Sequence, residues 1–168
     1  MGRLYIVAAE SKHKMLLRYI FFTIVFLFSA AVVRSEESIK ILTMSEAELD
    51  TLIRSEKGPC LITVTASWCA PCISELPELI KLYDKYKNRG LKLVGLSVDF
   101  GGPSPMQPIA DRLKVNFPIY WVGEKAIYTY KIDAIPILFF IREGKIVEKI
   151  VGQRSPDFLD KQIEAFLK

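Results

Sequence analysis

The sequence has little histidine and little cysteine. Of its 168 residues one is histidine and three are cysteine. His13 lies near the N-terminus, so residues 36–168 hold no histidine at all. That absence removes a Cys–His protease, a Ser–His–Asp hydrolase and a histidine-ligated metal site from the globular part. Three cysteines are too few for a disulfide-stapled scaffold, and a chain of this length builds a core without one. Excess charge of one sign is also missing where it would matter. The net charge of +4 resides in residues 1–35, which carry five Lys/Arg and one Glu, whereas residues 36–168 carry eighteen charges of each sign. A globular part with no net charge and no basic stripe offers nucleic acid no electrostatic footprint. No internal repeat or low-complexity linker divides the chain. With 51% hydrophobic residues, the composition excludes intrinsic disorder and fits one folded domain.

One hydrophobic run is present. Tyr19–Val33 (YIFFTIVFLFSAAVV) carries no charge, and Arg3, Lys12, Lys14 and Arg18 precede it. A basic stretch followed by an apolar one of this length reads as an export signal. A membrane-spanning helix needs about 20 apolar residues, so the run is short for an anchor unless Met15–Leu17 extend it. Small residues at Ser29, Ala30 and Ala31 mark a cleavage region. The expectation is that residues 1–35 form an export signal or an uncleaved membrane anchor, with residues 36–168 on the outer side. Met15 would itself begin a compact signal, so residues 1–14 read as an upstream extension of the start.

The remainder alternates strand and helix. Ile39–Met44 reads as a short strand. Ser45 and Glu48 form a capping box ahead of a helix with Leu49, Leu52 and Ile53 on its apolar face. Gly58-Pro59 ends that helix, and Cys60–Thr65 (CLITVT) suits a buried strand. A long helix is expected up to Arg89, burying Ile73, Leu76, Leu79, Ile80, Tyr83 and Tyr86, with Pro77 inside it and Gly90 as its terminator. Leu91–Val98 is the next strand. Ser104-Pro105 opens a short helix carrying Met106, Ile109, Ala110 and Leu113. Phe117–Val122 is a strand and Glu124–Tyr130 a short helix. Ile137–Ile141 and Ile146–Val151 form a hairpin. A last helix after Ser155-Pro156-Asp157 buries Phe158, Leu159, Ile163 and Phe166. This order predicts an α/β layered domain with a mixed, mostly parallel sheet.

The chemistry lies in Trp68-Cys69-Ala70-Pro71-Cys72. Two cysteines three apart can close a disulfide within one helical turn. Placed after a buried strand and at the start of a long helix, the pair reads as a redox motif. The helix N-terminus offers unpaired N–H groups and positive partial charge, which favour a thiolate on Cys69. Cys69 is then the attacking nucleophile and Cys72, deeper in the helix, the resolving thiol. Pro71 falls in the first turn, where its missing N–H costs least. A pair of structural thiols, or half of a metal site completed by Cys60, is the competing reading of the same residues. Cys60, at the start of a strand, reads most simply as a small buried hydrophobe.

WCAPC after a strand resembles the active-site motif of the thioredoxin superfamily. The stretches ASWCAPCISELPEL, LKLVGLSVD, FPIYWV and AIPILFFIREGKIV are similar to the TlpA/ResA-like branch of exported thiol–disulfide oxidoreductases. The resemblance covers about residues 39–168. It implies a thioredoxin-like fold with the strand–helix insertion of that branch between Ser97 and Ile135. It also implies a cis peptide at Ile135-Pro136 facing the disulfide, with the Ile135 backbone available to an extended substrate segment. Trp68 is implied as a cover of the disulfide and a wall of the substrate groove. Glu75, three residues after Cys72, matches a carboxylate that shuttles the proton of the resolving cysteine, provided burial raises its pKa. Thr63 stands where thioredoxins proper keep a buried aspartate, which throws proton handling onto Glu75 or water. Ile137 stands where cytochrome-c-maturation members often carry Glu.

The activity so implied is reversible dithiol–disulfide exchange outside the cytoplasm without a cofactor or metal. Its expected partners are protein disulfides, an apocytochrome c among the options, and a membrane electron donor. Ala-Pro between the cysteines adds no charge that would stabilise a thiolate, and this favours a reductant. Three other classes use similar residues: a disulfide donor or isomerase of the same fold, a thiol peroxidase, and a thiol-based metal-handling module. The nearest arginines in sequence lie more than ten residues from Cys69, which weighs against the peroxidase.

Overall fold

Short β-rich stretches of two to seven residues separated by turns and helices give six strands in the computed structural model, which describes residues 38–168 together with the single exposed positions Met15 and Arg18. Apart from those two positions the expected export segment, including Tyr19–Val33 and its cleavage region, lies outside the described residues. The strands are β1 (Leu42–Thr43), β2 (Cys60–Thr65), β3 (Lys92–Ser97), β4 (Ile119–Trp121), β5 (Ile137–Arg142) and β6 (Lys145–Val151). The helices are α1 (Glu46–Ser55), α2 (Ala70–Tyr86), α3 (Gln107–Leu113), α4 (Lys125–Thr129) and α5 (Pro156–Phe166). One sheet runs in the order β1-β4-β3-β2-β5-β6. Its first four strands are parallel; β5 pairs antiparallel with β2, and β6 pairs antiparallel with β5. This is the mixed, mostly parallel sheet that the sequence predicts.

Every residue of β2 is buried, as a central strand covered on both faces requires. Its alternate side chains feed two cores. Leu61 joins Leu76, Leu79 and Tyr86 of α2 and Leu159 and Ile163 of α5. Cys60, Ile62 and Val64 join Leu49 and Ile53 of α1, Ala126 of α4 and both cysteines of the CxxC motif. The capping box at Ser45 and Glu48 is formed as expected, each residue bonding the other's backbone N–H.

Four expectations shift. β1 is two residues long, because Ile41 N–H donates to Gln107 Oε1 (2.9 Å) and Ile39 C=O accepts from Gln107 Nε2 (2.7 Å). These groups are taken by a side chain before a ladder can form. The short helix starts at Gln107, with Pro108 rather than Pro105 in its first turn, and Met106 is fully buried ahead of it. The buried stripe of α2 is Cys72, Glu75, Leu76, Leu79, Leu82 and Tyr86, whereas Ile73, Ile80 and Tyr83 are half-buried. A glutamate within the stripe hides its phase from a hydrophobicity count. Phe158 is over a third exposed beside the Arg154 guanidinium and Phe166 is half-buried, so Leu159 and Ile163 anchor α5.

Candidate active site

β2 ends at Thr65 and α2 begins at Ala70, so Ser67-Trp68-Cys69 is the turn between them. Cys69 is the N-cap of α2. Its N–H donates to Ala66 C=O (3.1 Å), and its own C=O accepts from Ile73 N–H (3.1 Å). The sulfur therefore sits where the unpaired N–H groups of the helix converge, and Cys72 N–H points at Cys69 Sγ at 3.2 Å. Cys69 and Cys72 are joined in a disulfide with Cα atoms 5.3 Å apart. On reduction the same N–H and the helix dipole favour the thiolate at Cys69. Cys72 lies one turn deeper and is the more buried of the two.

The disulfide opens onto a groove of about 600 Å³. Trp68, Cys69, Ala70 and Pro71 form one side, and Asp133, Ala134 and Ile135 form part of the other. Val98, Ile127 and Ile132 complete an apolar lining in which Asp133 is the one charged residue. The Ile135–Pro136 bond is cis, as the resemblance implies. Pro136 C=O accepts from Gly152 N–H (2.8 Å), which ties this segment to the loop after β6.

That loop also reaches the helix behind the cysteines. Gln153 Nε2 donates to Ser74 Oγ (2.8 Å), and Arg154 N–H donates to Glu75 Oε1 (3.1 Å). Glu75 is buried on the face of α2 that carries Cys72. Burial pushes its pKa above the ordinary value of 4.5, while the Arg154 N–H and charge partly oppose the shift. Cys60 is buried at the start of β2, and burial, with Glu56 adding to it, pushes its thiol up to about 12. It is an inert thiol at neutral pH. Thr63 is buried in mid-strand, with no carboxylate in its place.

Two residues escaped the sequence reading. Asp99 is fully buried after β3. Its Oδ1 accepts from Ser67 N–H (2.8 Å) and Ser67 Oγ (2.6 Å), and its Oδ2 accepts from Ser97 Oγ (2.7 Å). Its C=O takes the Trp121 indole N–H at 2.8 Å. Asp99 thus fixes the turn that leads into Cys69. Phe100, the next residue, stacks on Trp68. The clue was a lone acid directly after an apolar strand and ahead of Gly101-Gly102. Among the described residues no cluster of His, Cys, Asp or Glu could hold a metal ion, and no arginine lines the groove.

Residues 40–150 match the AhpC/TSA family. The thiol-disulfide oxidoreductases ResA of Bacillus thuringiensis and of Bacillus anthracis are each 33% identical over 104 residues, covering 61% of this chain. That alignment spans 57% of those proteins' own length. Among solved structures, StoA from Bacillus subtilis superposes with a TM-score of 0.55 at 25% identity, covering 65% of this chain and 85% of that one. The fold is also that of a thiol:disulfide interchange protein DsbE from Chlorobium tepidum, with a TM-score of 0.62 at 24% identity over 70% of this chain and 84% of that one.

Proposed function

We propose, from the premise that this chain belongs to the AhpC/TSA family, that it is a thiol–disulfide oxidoreductase that reduces protein disulfides outside the cytoplasm. The observation that carries the reading is the Cys69–Cys72 disulfide at the N-terminus of α2, open to a groove bordered by Ile135. The likeness to the ResA proteins supports it over the segment they share.

In the reduced protein the Cys69 thiolate attacks one sulfur of a substrate disulfide. The substrate's second sulfur leaves as a thiolate and takes a proton, and a Cys69–substrate mixed disulfide remains. Cys72 then loses its proton to the Glu75 carboxylate or to water, and its thiolate attacks Cys69 Sγ. The first substrate sulfur leaves, and the enzyme disulfide closes. One substrate disulfide becomes two thiols while one enzyme dithiol becomes a disulfide. A dithiol donor returns two electrons and two protons to restart the cycle. Trp68, Ile135 and Pro136 hold the substrate segment, and Asp99 holds the turn that presents Cys69.

The N-terminal segment supports the location. Residues 1–35 act as an export signal or membrane anchor, and residues 36–168 form the catalytic domain. Among the described residues no helix is long and apolar enough to cross a membrane; the apolar run Tyr19–Val33 supports an anchor or signal. Electrons would arrive from a membrane dithiol donor, and the substrates would be protein disulfides of cytochrome c maturation or of general redox homeostasis.

Insulin reduction by dithiothreitol tests the activity. The full chain accelerates precipitation of the insulin B chain, and Cys69→Ser abolishes the acceleration. Cys72→Ser traps a mixed disulfide that a reductant releases. A rate no faster than dithiothreitol alone would refute the proposal.

A further inference from the structure

The Trp68 and Phe100 rings stack with centroids 5.8 Å apart and planes 20° from parallel. Both are more than half exposed, at 54% and 62%. Large apolar rings seldom stand together in water without a use, and a contiguous exposed pair marks a contact surface. Their pairing has a structural cause. Ser67 N–H and Oγ bind Asp99 Oδ1, so the next residue along each segment, Trp68 on one and Phe100 on the other, emerges side by side. Gly101 and Gly102 follow at φ +78° and +113°, conformations open to glycine that turn the chain away after the ring. Trp68 lines the groove and Phe100 does not, so Phe100 acts through Trp68.

We infer that Phe100 is a positioning residue for substrate: it holds the Trp68 indole as an aromatic wall of the groove and thereby favours polypeptide segments with an aromatic or large apolar side chain beside the reacting cysteine. This inference rests on the reading of Cys69 and Cys72 as the exchange site. The occupant follows from the lining. A substrate sulfur reaches Cys69 only with its flanking residues in this groove, whose walls are Val98, Ile127, Ile132 and Ala134 and whose one charge is Asp133. An acidic flank would meet the Asp133 charge, whereas an aromatic flank would find the Trp68 indole, a wall of the groove, to stack on.

The test uses the full chain and two disulfide-linked peptides that differ only in Phe or Gly beside the cysteine, with oxidised glutathione as a small control. The unaltered protein shows a KM about fivefold lower for the Phe peptide, the size of one aromatic contact. Phe100→Ala removes that preference by raising KM for the Phe peptide, with kcat, the Gly peptide and glutathione unchanged. Phe100→Tyr restores it. The indole Nε1–H resonance of Trp68 moves in the alanine variant and returns in the tyrosine variant. Should Phe100→Ala fail to fold, Phe100→Leu takes its place with the same expected loss. An active protein without the Phe/Gly preference, or a variant that loses both peptides equally, overturns the inference alone. An unaltered protein inactive on both peptides overturns the exchange reading and this inference with it.

Discussion

The backbone N–H of Arg154 donates to Glu75 Oε1 at 3.1 Å across 79 positions of sequence. The same loop donates from Gly152 N–H to Pro136 C=O. One loop thus joins the carboxylate behind Cys72 to the proline beside the groove. Its backbone donor offsets part of the cost of burying Glu75, which would otherwise lack a partner.

Glu75 titrates above its ordinary value of 4.5, chiefly because it is buried. Between that value and the raised one, the folded protein holds a proton that the unfolded chain has released. Stability therefore falls as pH rises through this window, and Glu75→Gln removes the fall. Catalysis runs the other way. In the proposed cycle the ionised Glu75 carboxylate takes the Cys72 proton, so the resolving step is expected to quicken as pH rises through the same window. In Glu75→Gln that limb disappears and the step slows on the order of a hundredfold. Rapid-mixing pH profiles of mixed-disulfide resolution, with urea unfolding at matching pH, measure both effects.

Asp99 receives three hydrogen bonds in a fully buried position. Asp99→Ala leaves the Ser67 N–H and the Ser97 hydroxyl without their acceptor and destabilises the fold by about 3 kcal/mol. Asp99→Asn keeps an acceptor oxygen for Ser67 and loses less. Chemical denaturation of the two variants separates these outcomes.

Cys60 and Cys69 should differ sharply in reactivity. With its thiol pushed up to about 12, Cys60 carries almost no thiolate at pH 8. A short pulse of iodoacetamide on the reduced native protein labels Cys69 and spares Cys60. Cys60 becomes labelled only after unfolding, as peptide mass mapping would show.

The β5–β6 hairpin turns at Glu143 and Gly144, with φ +51° and +74°. A Cβ on Gly144 would lie 2.6 Å from Arg54 C=O, and Gly144 N–H donates to Glu56 C=O at 2.7 Å. Gly144→Ala forces strain and a backbone clash together and costs about 2 kcal/mol or more. The reduction potential stays unchanged, because the turn lies at the far end of β5 from Pro136. Thermal unfolding and a redox titration together test this.

Much of this was legible in the sequence because the local rules agree. The buried run Cys60–Thr65, the CxxC pair after it and the capping box at Ser45 each specify their structure without help from distant residues. Legibility fails where tertiary bonds override local pattern. Gln107 shortens β1 from 66 and 68 positions away, and a buried glutamate shifts the visible face of α2. Asp99 meets Ser67 across 32 positions, a pairing that neither residue announces. The Trp68–Phe100 stack follows from that pairing and was hidden for the same reason. The cis bond at Pro136 was reached through resemblance, since propensity alone favours trans.

The reduction potential of the Cys69–Cys72 pair tests the central claim most directly. The full chain is equilibrated with glutathione and then dithiothreitol buffers, and its dithiol fraction is measured at each poise. A reductase of protein disulfides has a value near thioredoxin's, about −270 mV. A value near −120 mV, that of a strong oxidant, would contradict the account and make the protein a disulfide donor.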